Sequence, residues 1–187
     1  MNDQASLKNQ LLIAMPALQD PNFARTVTYI CEHGEHGAMG IVLNRPTDLC
    51  LADILQHMQI EGGLGDAGEQ IVYLGGPVEE ERGFVLHTHT APWDSTLAVN
   101  EDISITTSRD ILEAMARGDG PSRTLVALGY AGWGAGQLER ELKENAWLSG
   151  PVDQSILFDL PAEQRWEAAA RLLGVDVHLL SSEAGHA

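Results

Sequence analysis

The segment Thr124–Asn145 constrains the fold more than any other part of the chain. The apolar run Leu125 to Leu128 meets four glycines, Gly129, Gly132, Gly134 and Gly136, and Leu138 and Leu142 then recur at helical spacing. This order reads as strand, glycine turn, helix. Such a turn aims backbone N–H groups and the positive end of a helix dipole into one small volume, a general way to receive an anion. Against a nucleotide loop, no Gly-x-x-x-x-Gly-Lys-Ser/Thr occurs, and position 137 is Gln where Gly-x-Gly-x-x-Gly needs a different spacing. Glu139 also falls in the first helical turn, where it would repel phosphate. Two readings stand: a tight turn under Trp133, or a ligand cleft lined by Tyr130, Gly132, Trp133, Gly134 and Gln137.

Charge narrows the partners. Eleven basic against 27 acidic residues give a formal net charge of −16 over 187 residues, and Arg82 is the single Lys or Arg between 51 and 100. Such a field repels polyphosphate and anionic membrane surfaces, so nucleic acid and membrane are disfavoured. The expected partners are a protein or a small anionic metabolite. The start of the chain lacks a basic region followed by an apolar core, and the apolar runs are too short to span a bilayer. With two cysteines, Cys31 and Cys50, this reads as a cytoplasmic protein with reduced thiols.

Along the chain, strands are expected at 11–15, 26–31, 39–43, 71–74, 82–88, 103–106, 125–128, 156–158 and 175–179. Helices are expected at about 50–58, after Thr107 with Asp110 as a capping box, after Gly136, and from Pro161 to Leu173. The expected fold is α+β, with a mixed sheet, about eight strands and four helices in one unit over 1–187. A smaller inserted lobe near 60–110, a mobile glycine loop at 62–68 and a loose tail at 181–187 are also expected.

Further candidates have ordinary alternatives. Cys31, Glu32, His33, Glu35 and His36 crowd together as in a metal site, but nothing frames four ligands, and a hairpin tip explains them. His87 and His89 share a strand face and fit either a general base or a polar surface. Arg25 and Arg45 flank strand ends and would clamp a carboxylate or offset the acid excess. No metal or cofactor is expected, and no nucleophile elbow or catalytic triad motif identifies an enzyme.

Taken together, several motifs resemble the AlgH/YqgE family of bacterial proteins. They are Phe23-Ala24-Arg25-Thr26-Val27, Cys31-Glu32-His33, Gly37 to Gly40 running on to Asn44-Arg45-Pro46, Gly75-Gly76-Pro77-Val78, Gly129 to Gly134, and Gly136-Gln137-Leu138-Glu139. The likeness runs from about Leu11 to the last helix; Ala135 stands where many members have proline. The resemblance implies a sheet curled into a partial barrel, a cytosolic location and no established activity. It also brings a label of transcriptional regulator of alginate production. The residues give no helix-turn-helix pattern and no basic stripe, so an effect on transcription would pass through a protein or small ligand. The alternative is an enzyme acting on a small anion where the glycine turn meets Gly75, Gly76, Arg25, Asn44 and Arg45.

Overall fold

The computed structural model describes residues 6–62, 68–88 and 93–184, the last four by backbone alone. Among them, ten strands form one mostly antiparallel sheet: β1 (Gln10–Ala14), β2 (Val27–Gly34), β3 (Gly37–Val42), β4 (Pro46–Cys50), β5 (Ile71–Leu74), β6 (Val78–Thr88), β7 (Thr96–Ala98), β8 (Ile103–Thr106), β9 (Thr124–Gly134) and β10 (Trp147–Pro151). The main order is β10-β1-β2-β3-β9-β6-β8-β7, with β4 and β5 branching from β9; β5 and β9 form the one parallel pair described. The sheet curls into a half-barrel.

Helices pack on both of its faces, which explains why so many strand residues are apolar. Inside, Leu11, Ile13, Tyr29, Ile41, Phe84 and Leu86 pack with Trp166, Ala169 and Ala170 of α4 (Ala162–Arg171). Outside, Val72, Val85 and Val126 meet α1 (Leu51–His57) and α2 (Arg109–Arg117). Leu12, Ile30, Val42 and Trp133 meet α3 (Gln137–Lys143) on the same outer side.

The glycine-rich stretch is not a turn. β9 runs unbroken through Gly129, Gly132 and Gly134, and only Ala135-Gly136 turns before α3. Gly129 has φ +75° and acts as a bulge. Before it, Leu125 and Ala127 face inward; after it, Tyr130 does, while Ala131 and Trp133 face out. The bulge therefore shifts the strand's alternation by one residue. It also lets β9 change partners, pairing with β5 over Val126–Leu128 and with β3 over Ala131–Gly134.

Other sequence expectations need correction. Residues 156–158 are not a strand but lie in a π-helical turn, Ser155–Asp159, closed by the Leu160 N–H donating to the Ser155 carbonyl. Residues 175–179 are not a strand: α5 spans Val177–Ala184, with the Asp176 carboxylate accepting from the His178 N–H at its start. Of the alternating residues, Val177 is buried and Leu179 is exposed, so no sheet face exists there. Three short strands, β4, β7 and β10, lack a strong apolar alternation. Pro46 opens β4, where its missing N–H is tolerated because β4 pairs only with β5.

The N-cap of α2 is Ser108, not Thr107. Asp110 accepts from the Ser108 hydroxyl and from the Asp94 N–H, tying the helix to the β7 approach. Leu173, expected on the buried face of the last long helix, is 36% exposed beyond its end. Gly63, Gly65 and His89 lie outside the described residues, as do 185–187, so the expected glycine loop and the paired His87/His89 face fall partly there. Of the expected tail, 181–184 are helical. No helix among the described residues is long and apolar enough to cross a membrane.

Candidate functional site

Helix α4 fills only part of the half-barrel's hollow. The rest opens as a groove of about 1000 Å³. Its floor is a stripe of apolar side chains from adjacent strands: Met39 of β3, Tyr130 of β9, Phe84 of β6, Ile105 of β8 and Leu97 of β7. Met39, Tyr130 and Leu97 are only partly buried although they pack on the inner core. Phe84 and Tyr130 meet edge to face at 5.8 Å between ring centroids, a favourable aromatic arrangement.

The rim is polar and mainly acidic. Glu32, Glu79 and Asp94 border the opening, with Arg82 as the one Lys or Arg among its lining residues. Arg82 is already engaged: its guanidinium lies 5.6 Å from the Phe84 ring centroid and 3.4 Å from the Glu79 carboxylate.

The sequence candidates separate into several places. Tyr130, Gly132 and Trp133 border the groove, but the Trp133 indole packs on the opposite face against Phe23 and Trp147. Its Nε1 donates to Glu141, whose same oxygen also accepts from the Trp147 Nε1. Gln137 spans the turn at Ala135-Gly136, accepting from the Gly134 N–H at 3.0 Å and donating to Glu141 at 2.9 Å. Gly75 and Gly76 sit at the strand crossing: a Cβ on Gly76 would lie 2.0 Å from the Tyr130 carbonyl carbon.

Arg25 and Asn44 border a separate cleft of about 230 Å³ beside α4. Arg25 rests 5.8 Å from the Trp166 ring centroid. Asn44 bridges backbone, accepting from Val27 N–H and donating to the Arg25 carbonyl, while Arg45 donates to the Ala24 carbonyl. These polar side chains pin the loop before β2. An anion clamp joining Arg25, Arg45, Gly76 and Trp133 is not assembled.

The Cys31–His36 cluster lies at the β2–β3 hairpin. Burial pushes the Cys31 thiol far up, which disfavours a reactive thiolate. His33 Nδ1 accepts from the Leu7 N–H at 2.8 Å, so the proton of the neutral ring is on Nε2, which donates to Glu139. Both ring nitrogens are thus committed. Among the described residues, no three His, Cys, Asp or Glu side chains are grouped to hold a metal.

Partial burial pushes the Glu139 carboxyl upward, but the His33 hydrogen bond, a backbone hydrogen bond within Glu139 and the electrostatic attraction of His33 together outweigh this and hold it below its ordinary 4.5. A depressed carboxylate contributes stability above its unfolded value and loses it as pH falls through the folded one. Wild-type chain should therefore lose stability between about pH 5 and pH 3 more steeply than Glu139→Gln, measured by urea denaturation across that range. Identical acid slopes would show that this contact contributes nothing.

Apart from Tyr130, the floor residues escaped the sequence reading. Met39, Phe84, Leu97 and Ile105 look like any strand core, and only the curl of the sheet tells which inward-facing side chains α4 leaves uncovered.

Fold and groove define an α+β half-barrel protein with an open concave face. The chain belongs to the AlgH-like family, whose profile matches residues 11–178. It is 60% identical to a UPF0301 protein of Thioalkalivibrio sulfidiphilus and 56% identical to one of Nitrosococcus oceani, over the full length of each pair. The solution structure of the AlgH protein from Pseudomonas aeruginosa matches with a TM-score of 0.81 at 50% identity, over all of this chain and 99% of that one. A crystal structure of a Corynebacterium diphtheriae protein, 20% identical, shares the fold with a TM-score of 0.75, over 97% of this chain and 94% of that one.

Proposed function

We propose that this protein acts as an adaptor or regulator that holds a protein partner in the concave groove, and that it neither binds DNA directly nor depends on a catalytic group. The observation carrying this reading is the apolar stripe Met39-Tyr130-Phe84-Ile105-Leu97 inside a polar rim, in which Met39, Tyr130 and Leu97 are left partly open over buried Phe84 and Ile105. An apolar centre ringed by polar groups is how protein interfaces are built. The rim's carboxylates fit an anionic metabolite poorly, and Arg25 and Arg45, which an enzyme acting on anions would need, are outside the groove. With a formal charge of −16, a regulatory effect fits a partner protein better than contact with a duplex.

A photoreactive residue at Leu97, within the groove, is expected to capture a partner that the same group at exposed Leu49 does not. The partner, identified and purified, should bind at least about tenfold more weakly to Tyr130→Glu than to wild type. Equal capture from both positions, or unchanged binding by Tyr130→Glu, would refute the reading. A mobility shift with duplex DNA at physiological salt should be blank.

A further inference from the structure

The groove carries information about the chemistry of its occupant. Glu32 and Glu79 stand at the rim on the side of β2 and β6, and Asp94 stands at the approach to β7. Glu35, Glu80 and Glu81 are exposed nearby in sequence, on the hairpin and on β6. Among the described lining residues, Arg82 is the one cation apart from His33 and His36; Arg82 pairs with Glu79 and His36 with Glu35. Both nitrogens of the His33 ring are committed to Leu7 and Glu139. An occupant therefore meets a negative rim around an apolar floor.

Arg82 indicates how such an occupant would be held. Its guanidinium covers the Phe84 ring while pairing with Glu79, and both partners are about half exposed: 54% for Arg82 and 52% for Glu79. A cation from the chain itself thus occupies a place built from one aromatic face and one carboxylate, the combination that attracts arginine and lysine. An exposed pair of this kind is weak, so an incoming cation displaces it at little cost.

Resting on the reading above, we infer that the groove binds a basic peptide segment of a partner protein. In that segment an aliphatic or aromatic residue lies on the Met39-Tyr130-Phe84 floor, and flanking lysines or arginines meet Glu32, Glu79 and Asp94. Arg82 is the internal competitor for one of those cations. The acidic rim sets specificity, and the apolar floor supplies most of the affinity.

The test is a display selection from a random dodecapeptide library against the whole protein, with counter-selection on Tyr130→Glu. Enriched peptides are expected to carry a net positive charge around an apolar residue. Synthesised, they should shift amide resonances of residues 32–39, 82–84 and 94–97. The combined variant Glu32→Gln, Glu79→Gln, Asp94→Asn should weaken them about tenfold or more, and added salt should weaken them too. Arg82→Ala should bind them a few-fold more tightly. No groove-dependent enrichment, enrichment of neutral or acidic peptides, or indifference to the rim variant would overturn the inference. If photocapture at Leu97 nevertheless gives a partner docked through an acidic or uncharged segment, the groove remains a binding site and only its assigned chemistry fails.

Discussion

Gly129→Ala is expected to unfold the protein or nearly so, while Gly136→Ala is expected to be mild. The pair is informative because the two glycines share the same positive φ, +75° and +74°. A left-handed conformation costs any L-residue about 1–2 kcal/mol, and that is the whole expected cost at Gly136, where a Cβ meets nothing within 4 Å. At Gly129 the same Cβ would lie 2.5 Å from the Gly76 carbonyl oxygen and 3.1 Å from the Val78 oxygen and the Glu80 Cα. These are all backbone atoms of neighbouring chain and cannot rotate away. Forcing them apart would break the crossing where β9 exchanges β5 for β3, so a loss of about 4 kcal/mol or more is expected. In urea denaturation followed by far-UV circular dichroism, that corresponds to a midpoint lowered by about 2 M, against about 0.5–1 M for Gly136→Ala. Equal midpoints would mean that the bulge relaxes and that the close approach of residues 76–80 to β9 does not constrain the fold.

Arg165→Ala should have the next largest effect. Arg165 is 3% exposed within α4. Its NH1 donates to the Leu43 carbonyl at 2.6 Å, its Nε donates to the Leu160 carbonyl at 3.0 Å, and its guanidinium lies 4.9 Å from the Tyr73 ring centroid. Burial lowers its pKa, but Tyr73 and Asp159 oppose that and favour the charged form. Truncation leaves two carbonyls in the interior without this donor and loosens α4 from the end of β3. The expected loss is about 3 kcal/mol, with Arg165→Lys only partly restoring it because an ammonium lacks the planar fork that reaches both oxygens. By contrast, breaking the exposed Arg109–Glu113 pair should cost less than about 0.5 kcal/mol. If Arg165→Ala and Glu113→Ala prove equally mild by the same denaturation, α4 is held by its apolar face alone.

Most strands and four of the helices were legible locally. The stripe Ile111, Leu112, Met115 has a 3.6-residue period because one side of α2 packs on the sheet, and that face is buried as expected. The failures share a cause. Val175-x-Val177-x-Leu179 alternates as a strand would, but Gly174 ends α4 and Asp176 starts a new helix, so the local cap overrode the alternation. Four glycines in eight residues read as a turn because glycine permits one. Here three of them lie along a strand, and the bulge at Gly129 leaves no room for a side chain.

The candidate site was less legible. Tyr130 and Gly132 reach the groove, while Asn44, Arg45 and Gln137 are engaged in holding loops and turns together. A polar side chain in a sequence does not reveal whether its hydrogen bonds are spent on the chain's own backbone.

By itself the sequence determined the acidic field, the α+β class and the apolar faces, because charge and side-chain periodicity are properties of neighbouring residues along the chain. The tertiary structure alone decided which inward-facing side chains stay uncovered and which polar groups remain engaged. Both depend on how far the sheet curls and on where α4 stops filling it, which brings Met39, Phe84, Leu97 and Tyr130 together across more than 90 residues of chain.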